Sequence, residues 1–364
     1  MKIICDSAKL SKMCMNVQRT VSAKSTIPAI EGILIDALGD NVRLTGYDLE
    51  VGTETFLAAD VQENGSVILN AKNLCDILRL LPDDTVSIES DERNICKIRS
   101  GETQYSIIGA SAEDYPDLPN ISGGFPIVIN QALLKDMIRK TIFSVSSSER
   151  NPVHSGVKFE ISDGKIVLVA VDGARLAVRR EEIDYSGEDV SFVVPAKTLS
   201  EVVKLGEDDE GVYSISVGKR HISFEVGEYR IISRLLEGNF IDYKAAIPLS
   251  ASTTVIADTR RMIECVERTA LIITDRSSPV RCTVEPEMLR FSSITTIGTA
   301  NDKMIADVRG EELEIGFNSK FMLDALRACE TDEVKMEYNS ANQPILILPT
   351  EGEKFLFLVL PVRI

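Results

Sequence analysis

A twelve-residue segment occurs three times in this chain of 364 residues, and the repeat limits the possible folds more than any other feature. The copies are L-N-A-K-N-L-C-D-I-L-R-L at 69–80, V-P-A-K-T-L-S-E-V-V-K-L at 194–205 and F-N-S-K-F-M-L-D-A-L-R-A at 317–328. Their shared lysines, Lys72, Lys197 and Lys320, are 125 and 123 residues apart, about a third of the chain each time. This period predicts three copies of one domain.

Each copy is predicted to be an amphipathic helix. In the first copy Leu74, Ile77 and Leu78 recur at the spacing of one helix face. The segments around the copies alternate apolar and polar residues, as antiparallel strands do, and turn residues separate them. We therefore predict an α+β fold of three repeated domains, each with two helices packed on antiparallel sheet. The predicted domains are 1–122, 123–249 and 250–364.

Several single elements are predicted along with the domains. A first helix is expected at Ser7–Ser22, and strands are expected at Phe125–Asn130 and Lys303–Val308. Ser122-Gly123-Gly124 is typical of a linker. The C-terminal tail, Pro361–Ile364, is expected to stay outside strand pairing because proline has no backbone donor.

Composition excludes several classes of function. The formal net charge of −16 argues against nucleic-acid binding unless the cations are segregated to one surface. Only His154 and His221 are present, and the seven cysteines have no C-x-x-C spacing, so we predict reduced core thiols, no metal site and no cofactor. No apolar run reaches membrane-spanning length, which predicts a soluble, cytoplasmic protein with no membrane partner.

Catalytic motifs are missing from the sequence. There is no G-x-S-x-G, P-loop, H-E-x-x-H or G-x-G-x-x-G pattern. Asp172 precedes a glycine in a turn, where an aspartate usually caps its own backbone. The chain is therefore predicted not to be an enzyme, and an unrecognised hydrolase stays as one alternative.

Binding is better supported, because the predicted helices carry cations on their exposed sides while acids concentrate in loops such as Glu207–Glu210 and Glu311–Glu314. A positive wall of this kind attracts phosphates without reading bases. Lysine and arginine are also good helix formers, which would explain their presence without any ligand. Composition leaves the phosphate-binding explanation and the helix-propensity explanation close to even. The cations placed on exposed helix sides are Lys9, Lys12, Arg19, Lys72, Arg79, Lys135, Arg139, Lys140, Lys197, Lys204, Arg260, Arg261, Arg268, Lys320 and Arg327.

The repeat combines with three further segments: V-D-G-A-R-L-A at 171–177, L-E-G-N-F-I-D-Y at 236–243 and L-P-V-R-I at 360–364. Together they resemble the bacterial DNA sliding clamp family, the beta subunit of DNA polymerase III, over the whole chain. The resemblance implies a head-to-tail homodimer that forms a ring of six domains, with helices lining a hole for duplex DNA. It also implies three kinds of partner: the catalytic subunit of DNA polymerase III, an ATP-driven clamp loader and other proteins with a clamp-binding motif.

The resemblance implies site residues as well. Tyr105 and Ile107 would meet Leu271 and Ile272 of a second chain. The cations assigned to DNA binding are Lys24, Lys72, Arg79, Lys135, Arg139, Lys140, Arg150, Lys197, Lys204, Arg260, Arg261 and Lys320. The residues assigned to a peptide pocket are His154, Val171, Gly173, Ala174, Arg175, Leu176, Ile241, Ala245, Ala246, Asn318, Phe321, Pro344, Leu358, Val359, Leu360, Pro361, Val362, Arg363 and Ile364.

Two pocket positions depart from the family pattern. Ala174 stands where members often have histidine, and Ile241 stands where they often have proline. Both changes leave the pocket apolar, so we expect the function to be kept and the fine specificity to differ. For Leu358, Val359 and Leu360 the alternative is that they are ordinary core residues of a strand. For the whole chain the alternative function is a monomeric repeat scaffold that binds only proteins.

Overall fold

The computed structural model describes residues 1–121, 126–148, 150–206, 210–275 and 278–364. They form two compact units, which are Met1–Ala132 with Lys197–Leu235 (unit 1) and Leu133–Ala196 with Leu236–Ile364 (unit 2). Three predicted features lie wholly or partly outside the described residues: the linker Ser122-Gly123-Gly124, the start of the strand at Phe125–Asn130, and the acidic segment Glu207–Glu210.

Six helices lie within the described residues, and the three repeated segments form the second, fourth and sixth of them. The first, second, fifth and sixth helices each begin after an Asp or Asn whose side chain accepts from the backbone N–H three residues later, which satisfies an otherwise unpaired donor. The helices are α1 Ser7–Val17, α2 Ala71–Leu78, α3 Gln131–Ile142, α4 Ala196–Leu205, α5 Thr259–Ala270 and α6 Ser319–Cys329.

The strands outnumber the helices, and the pairing between them is antiparallel throughout the described residues. In chain order they are β1 Lys2–Asp6, β2 Gly32–Leu38, β3 Asn41–Tyr47, β4 Val51–Ala58, β5 Asp60–Glu63, β6 Gly65–Asn70, β7 Thr85–Ser90, β8 Ile95–Ser100, β9 Thr103–Ile108, β10 Ile127–Asn130, β11 Gly156–Ser162, β12 Lys165–Val171, β13 Arg175–Glu182, β14 Val190–Pro195, β15 Val212–Val217, β16 His221–Val226, β17 Tyr229–Arg234, β18 Thr253–Asp258, β19 Val280–Glu285, β20 Met288–Thr295, β21 Gly298–Ile305, β22 Asp307–Gly310, β23 Leu313–Phe317, β24 Glu333–Tyr338, β25 Ile345–Leu348, β26 Phe355–Val359 and β27 Pro361–Val362.

Each unit contains one long sheet and one short sheet. In unit 1 the strand orders are β10-β15-β16-β17-β4-β3-β2-β6 and β5-β1-β7-β8-β9. In unit 2 they are β14-β11-β12-β13-β26-β25-β24-β18-β22 and β21-β20-β19-β23-β27. Helices cover one face of these sheets, with Leu10 and Leu74 in the core of unit 1 and Met262 and Leu326 in that of unit 2. The α+β prediction is confirmed.

The first helix ends earlier than predicted, at Val17 rather than Ser22. The chain tightens into a 3-10 turn at Gln18–Thr20 and becomes extended at Val21. The Thr20 hydroxyl donates to the carbonyls of Val17 and Gly46, and it thereby ties the turn to β3 instead of continuing the helix.

Two strand predictions near the C-terminus were wrong. The strand expected at Lys303–Val308 is divided between β21 and β22, because the N–H of the buried Ala306 donates to the Glu287 carbonyl instead of to a ladder. In the tail, Pro361 and Val362 pair with Phe317 and Gly316 of β23, although no pairing was expected. Proline is tolerated there because β27 is an edge strand, where a missing donor does not break a ladder on both sides.

All seven cysteines are buried and form no disulfide, as predicted for small core residues. Burial raises the pKa of the Cys282 thiol to about 12, so the thiol stays protonated and unreactive. No helix in the described parts of the chain is long and apolar enough to cross a membrane.

Candidate functional site

Three leucines from neighbouring strands of unit 2 form a row on one face of the long sheet. Leu358 of β26 is paired with Leu176 of β13 on one side and with Leu346 of β25 on the other. With Val171 and Tyr243 they belong to a small apolar cluster that is separate from the main core of the unit. This cluster, together with the loop residues that pack on it, is the candidate floor of a ligand groove and is called the groove cluster below.

Strand alternation decides which residues of β26 reach this groove. Leu358 belongs to the groove cluster, whereas Val359 packs into the main core with 1 % exposure. The assignment of the Val359 side chain to the pocket is therefore wrong, because consecutive strand residues face opposite sides of a sheet. Leu346 was missed, although its position in the apolar run 345–348 is compatible with either face.

The segment 240–247 packs against the same cluster through Phe240 and Ile247. The Tyr243 hydroxyl donates to Oε2 of Glu160 at 2.9 Å and fixes this segment to β11. Burial, followed by the charge of Glu160, raises the pKa of Tyr243, so the hydroxyl remains a donor. Ile241 is 47 % exposed and remains available to a ligand. Ala245 and Ala246 are also exposed.

The turn between β12 and β13 forms one end of the groove. Oδ1 of Asp172 accepts from the backbone N–H groups of Ala174 and Arg175, at 2.9 and 3.1 Å. Gly173 has a φ of 91°, which favours glycine at this position. The Ala174 carbonyl accepts from the N–H of Leu360 at 2.9 Å. Asp172 thus caps its own backbone, as predicted, and the turn holds the start of the tail.

Arg175 was assigned to the peptide pocket, and the structure shows that its side chain is largely buried. The residue is only 9 % exposed. Its guanidinium is 2.8 Å from Asp172 and 2.7 Å from Asp324 of α6, and it lies 4.4 Å from the centre of the Phe321 ring. Arg175 therefore joins the turn to α6, and a ligand can reach little of its charge.

The tail runs along the edge of β23 and then becomes exposed. Pro361 and Val362 are half-buried, and Arg363 and Ile364 are exposed. A β-carbon on Gly316 would lie 2.6 Å from the Val362 carbonyl oxygen, so this close approach requires glycine.

Asn318 and Phe321 lie at the N-terminus of α6, where the Asn318 side chain accepts from the Phe321 N–H. Both line a cavity of about 640 Å³ together with Ala174 and Arg175. The structure thus brings these four predicted residues together.

Two predicted pocket residues, His154 and Pro344, are not among the residues that line this cavity. The His154 ring contacts Phe240 edge-to-face at 5.3 Å, and its Nε2 is buried without a hydrogen-bond partner among the described residues. Pro344 is half-buried immediately before β25. Phe240 lies in the segment at 236–243 that carries the family resemblance, but it was not predicted as a site residue, although an aromatic side chain in a loop is a common anchor.

The predicted DNA-binding cations fall into three groups. Lys135 is 6 % exposed, so its placement on an exposed helix side is wrong. The second group is ion-paired: Lys140 with Asp136 and Glu330, Lys197 with Asp48, Lys204 with Glu201, Arg79 with Asp76, Arg260 with Glu264, and Lys320 with Asp324. The third group is exposed and has no ion-pair partner in the described parts of the chain: Lys24, Lys72, Arg139, Arg150 and Arg261.

Of the residues predicted at a subunit contact, two lie on a free sheet edge and two lie in the turn after a helix. Tyr105 and Ile107 are half-buried on β9, the edge of the short sheet of unit 1. Leu271 is 81 % exposed directly after α5, and Ile272 is half-buried. Among the described residues, no group of three or more His, Cys, Asp or Glu side chains could hold a metal ion.

Family models match almost the full length of the chain. The N-terminal, central and C-terminal domains of the DNA polymerase III beta subunit match residues 1–119, 128–242 and 244–363. The chain belongs to the DNA polymerase III beta subunit family. Family membership makes it a non-catalytic sliding clamp with three clamp domains, and it excludes the hydrolase alternative.

Relatives of known name agree with this assignment. The beta sliding clamp of Bacillus subtilis (strain 168) is 33 % identical over the full length of both chains. The crystal structure of the Bacillus subtilis sliding clamp superposes with a TM-score of 0.98 at 32 % identity, over 100 % of this chain and 99 % of that one. A putative beta subunit from Eubacterium rectale gives a TM-score of 0.97 at 32 % identity over both full chains.

Proposed function

We propose that two copies of this chain close head to tail into a ring around duplex DNA, and that the groove of unit 2 holds a peptide of the replicative polymerase. The observation that carries the docking role is the leucine row of β13, β26 and β25, beside a tail whose last two residues are exposed. Such an apolar row suits a short peptide with one or two apolar anchors.

Several finer features belong to the same proposal. A clamp loader that opens the ring and other motif-bearing proteins would use the same groove in turn. The protein would work in the cytoplasm, where bacterial DNA is replicated. We propose domain boundaries at 1–122, 123–249 and 250–364, which limited proteolysis would test by cleavage near the two junctions.

The subunit contact is supported by the free edge of the short sheet of unit 1 and by the exposed turn after α5. Ile108 at the end of β9 is 84 % exposed, and Leu271 is 81 % exposed. Exposed apolar edge strands attract further strands unless another chain covers them. A contact between different surfaces of two identical chains closes into a ring when the rotation allows it.

Changing Leu271 and Ile272 together to alanine is expected to give mostly monomer in analytical ultracentrifugation at micromolar concentration. The exposed position of Leu271 means that the folded monomer should survive, which circular dichroism would check. Leu249→Ala is the matched control, because Leu249 is also an exposed leucine outside the strands but is not among the residues assigned to the contact. A double variant that remains dimeric would exclude this interface, and a monomeric unmodified protein would favour the scaffold alternative.

DNA attraction is supported by the exposed cations on and next to the helices. Changing Lys24, Lys72, Arg150 and Lys197 together to serine is expected to weaken loading and processive synthesis, and the difference should shrink as salt rises. Each change alone should weaken the attraction to DNA by about 1 kcal/mol or less. Lys197 should contribute least, because Asp48 already neutralises its charge.

A control variant removes the same number of positive charges from strands. Lys97, Arg99, Arg290 and Arg309 are exposed on β8, β20 and β22, and their joint change to serine keeps the net charge equal to that of the helix variant. Primer extension on circular template at low salt would compare the two. Equal processivity of both variants would mean that the helices do not face DNA.

A further inference from the structure

Strand β11 carries a cation and an acid at the margin of the groove cluster. Phe159, between them in the chain, is fully buried. Lys158 and Glu160 lie on the opposite face of the strand, because consecutive strand residues face opposite sides of a sheet. There they stand directly across from Val169 and Val167 of β12, which belong to the groove cluster or pack against it. The charged pair therefore borders the apolar row of unit 2.

Glu160 holds two partners at once. Its Oε2 accepts from the Tyr243 hydroxyl at 2.9 Å, and its Oε1 is 2.6 Å from Nζ of Lys158. Burial by itself would raise the pKa of Glu160, but the hydrogen bonds from Lys158 and Tyr243 lower it below its usual value. The carboxylate is therefore charged at neutral pH, and a charged acceptor makes the stronger hydrogen bonds.

Lys158 extends this contact to a second aromatic residue. Its Nζ lies 5.6 Å from the centre of the Phe240 ring, within the range of cation–π attraction. Phe240 is half-buried and packs against the groove cluster. The charged pair thus contacts Phe240 and Tyr243, the two aromatic residues of the segment 240–247.

The matching tyrosine of unit 1 is anchored without a charged pair. Strands β2 and β3 begin 124 residues before β11 and β12, so Leu34 and Asp36 occupy the places of the pair. Tyr115 follows an aspartate, as its counterpart in unit 2 does, and its hydroxyl donates to the Thr45 carbonyl at 3.2 Å. A backbone carbonyl is thus enough to anchor a tyrosine at this place in the repeat, and the fold alone does not call for the charged pair.

The position of the segment 240–247 matters because it packs against the groove cluster and exposes Ile241 beside Phe240. A site whose parts are already held in place binds more tightly than one that the ligand must order. We propose that Glu160 and Lys158 are positioning residues of the groove, which hold this segment ready for an apolar anchor of the docking peptide. Their role in docking rests on the function proposed above, whereas their contacts do not.

Replacing Glu160 by alanine is expected to weaken binding of a Gln-Leu-x-Leu-Phe peptide about tenfold in calorimetry, because the change releases both Tyr243 and Lys158. Tyr243→Phe keeps the ring and removes only the hydrogen bond, so its loss should be smaller. The double variant should bind no more weakly than Glu160→Ala, because both changes remove the same hydrogen bond. Lys158→Ala should weaken binding about threefold, and Lys158→Arg should restore it by keeping the charge.

Glu285→Ala is the matched control. Glu285 is also a half-buried strand carboxylate of unit 2 and pairs with Arg290 at 2.7 Å, but it lies on the short sheet. Its peptide affinity should equal that of the unmodified protein. A second measurement needs no peptide: hydrogen exchange of the segment 240–247 should become faster in Glu160→Ala and stay unchanged in Glu285→Ala.

A purely structural role for Glu160 makes a different prediction, since it would lower the melting temperature and leave the peptide affinity of the folded protein unaltered. Undiminished affinity in Glu160→Ala, additive losses in the double variant, or unchanged exchange of the segment 240–247 would each overturn this inference while the proposed function stands. If the unmodified protein binds no peptide, the proposed function and this inference fail together.

Discussion

Replacing Arg175 by alanine is expected to lower the free energy of unfolding by about 3–5 kcal/mol, as measured for broken buried ion pairs. The change leaves the carboxylates of Asp172 and Asp324 without their shared guanidinium, in a part of unit 2 where Arg175 itself is 9 % exposed. It also removes the contact with the Phe321 ring. Chemical denaturation followed by circular dichroism would measure the loss.

Lys320→Ala is the matched control for this prediction. Lys320 pairs with the same Asp324 at 2.7 Å, but its side chain is 70 % exposed. An exposed pair of this kind is worth about 1 kcal/mol or less. If both variants lose the same small amount, Arg175 is not the connection between the turn and α6 that its contacts indicate.

Deleting Pro361–Ile364 is expected to remove binding of a Gln-Leu-x-Leu-Phe peptide while the dimer stays intact. The affinity in calorimetry should fall at least thirtyfold, or about 2 kcal/mol, the scale of an interface hot spot. The melting temperature should fall by only about 2–4 °C, because the tail contributes a two-residue ladder with β23.

The alternative for the tail makes the opposite prediction. If the tail only protects the edge of β23, the deletion should lower the melting temperature and leave peptide affinity unchanged. Arg363→Ala controls for charge alone, since Arg363 is exposed and adds nothing to the ladder. An unaltered affinity in the truncated protein would place the docking site elsewhere.

Local patterns in the sequence were enough to predict most elements. The repeated segments are helices and antiparallel strands lie between them, as predicted, because turn chemistry and apolar period are properties of neighbouring residues. The repeat predicted the helices α2, α4 and α6. Together with the segments at 171–177, 236–243 and 360–364 it also indicated the family. Short strands such as β5 and β23 were missed, since so few residues carry little periodic signal.

The long-range partners of charged residues were decided by tertiary structure alone. The three repeated helices share one pattern of cation, acid and cation, yet Asp76 pairs within its helix, Lys197 pairs with Asp48, and Asp324 pairs with Arg175. Asp48 and Arg175 lie 149 residues from their partners. No local pattern encodes such distances.

Tertiary structure also decided which single polar residues are buried. Lys135 has the spacing of a surface cation and is 6 % exposed, and Glu54 has the spacing of a strand's outer face and is 8 % exposed. The sequence by itself determined the repeat, the elements and the family, because these depend on spacing along the chain. The tertiary structure decided which charges are accessible, because burial depends on what distant segments pack above each residue.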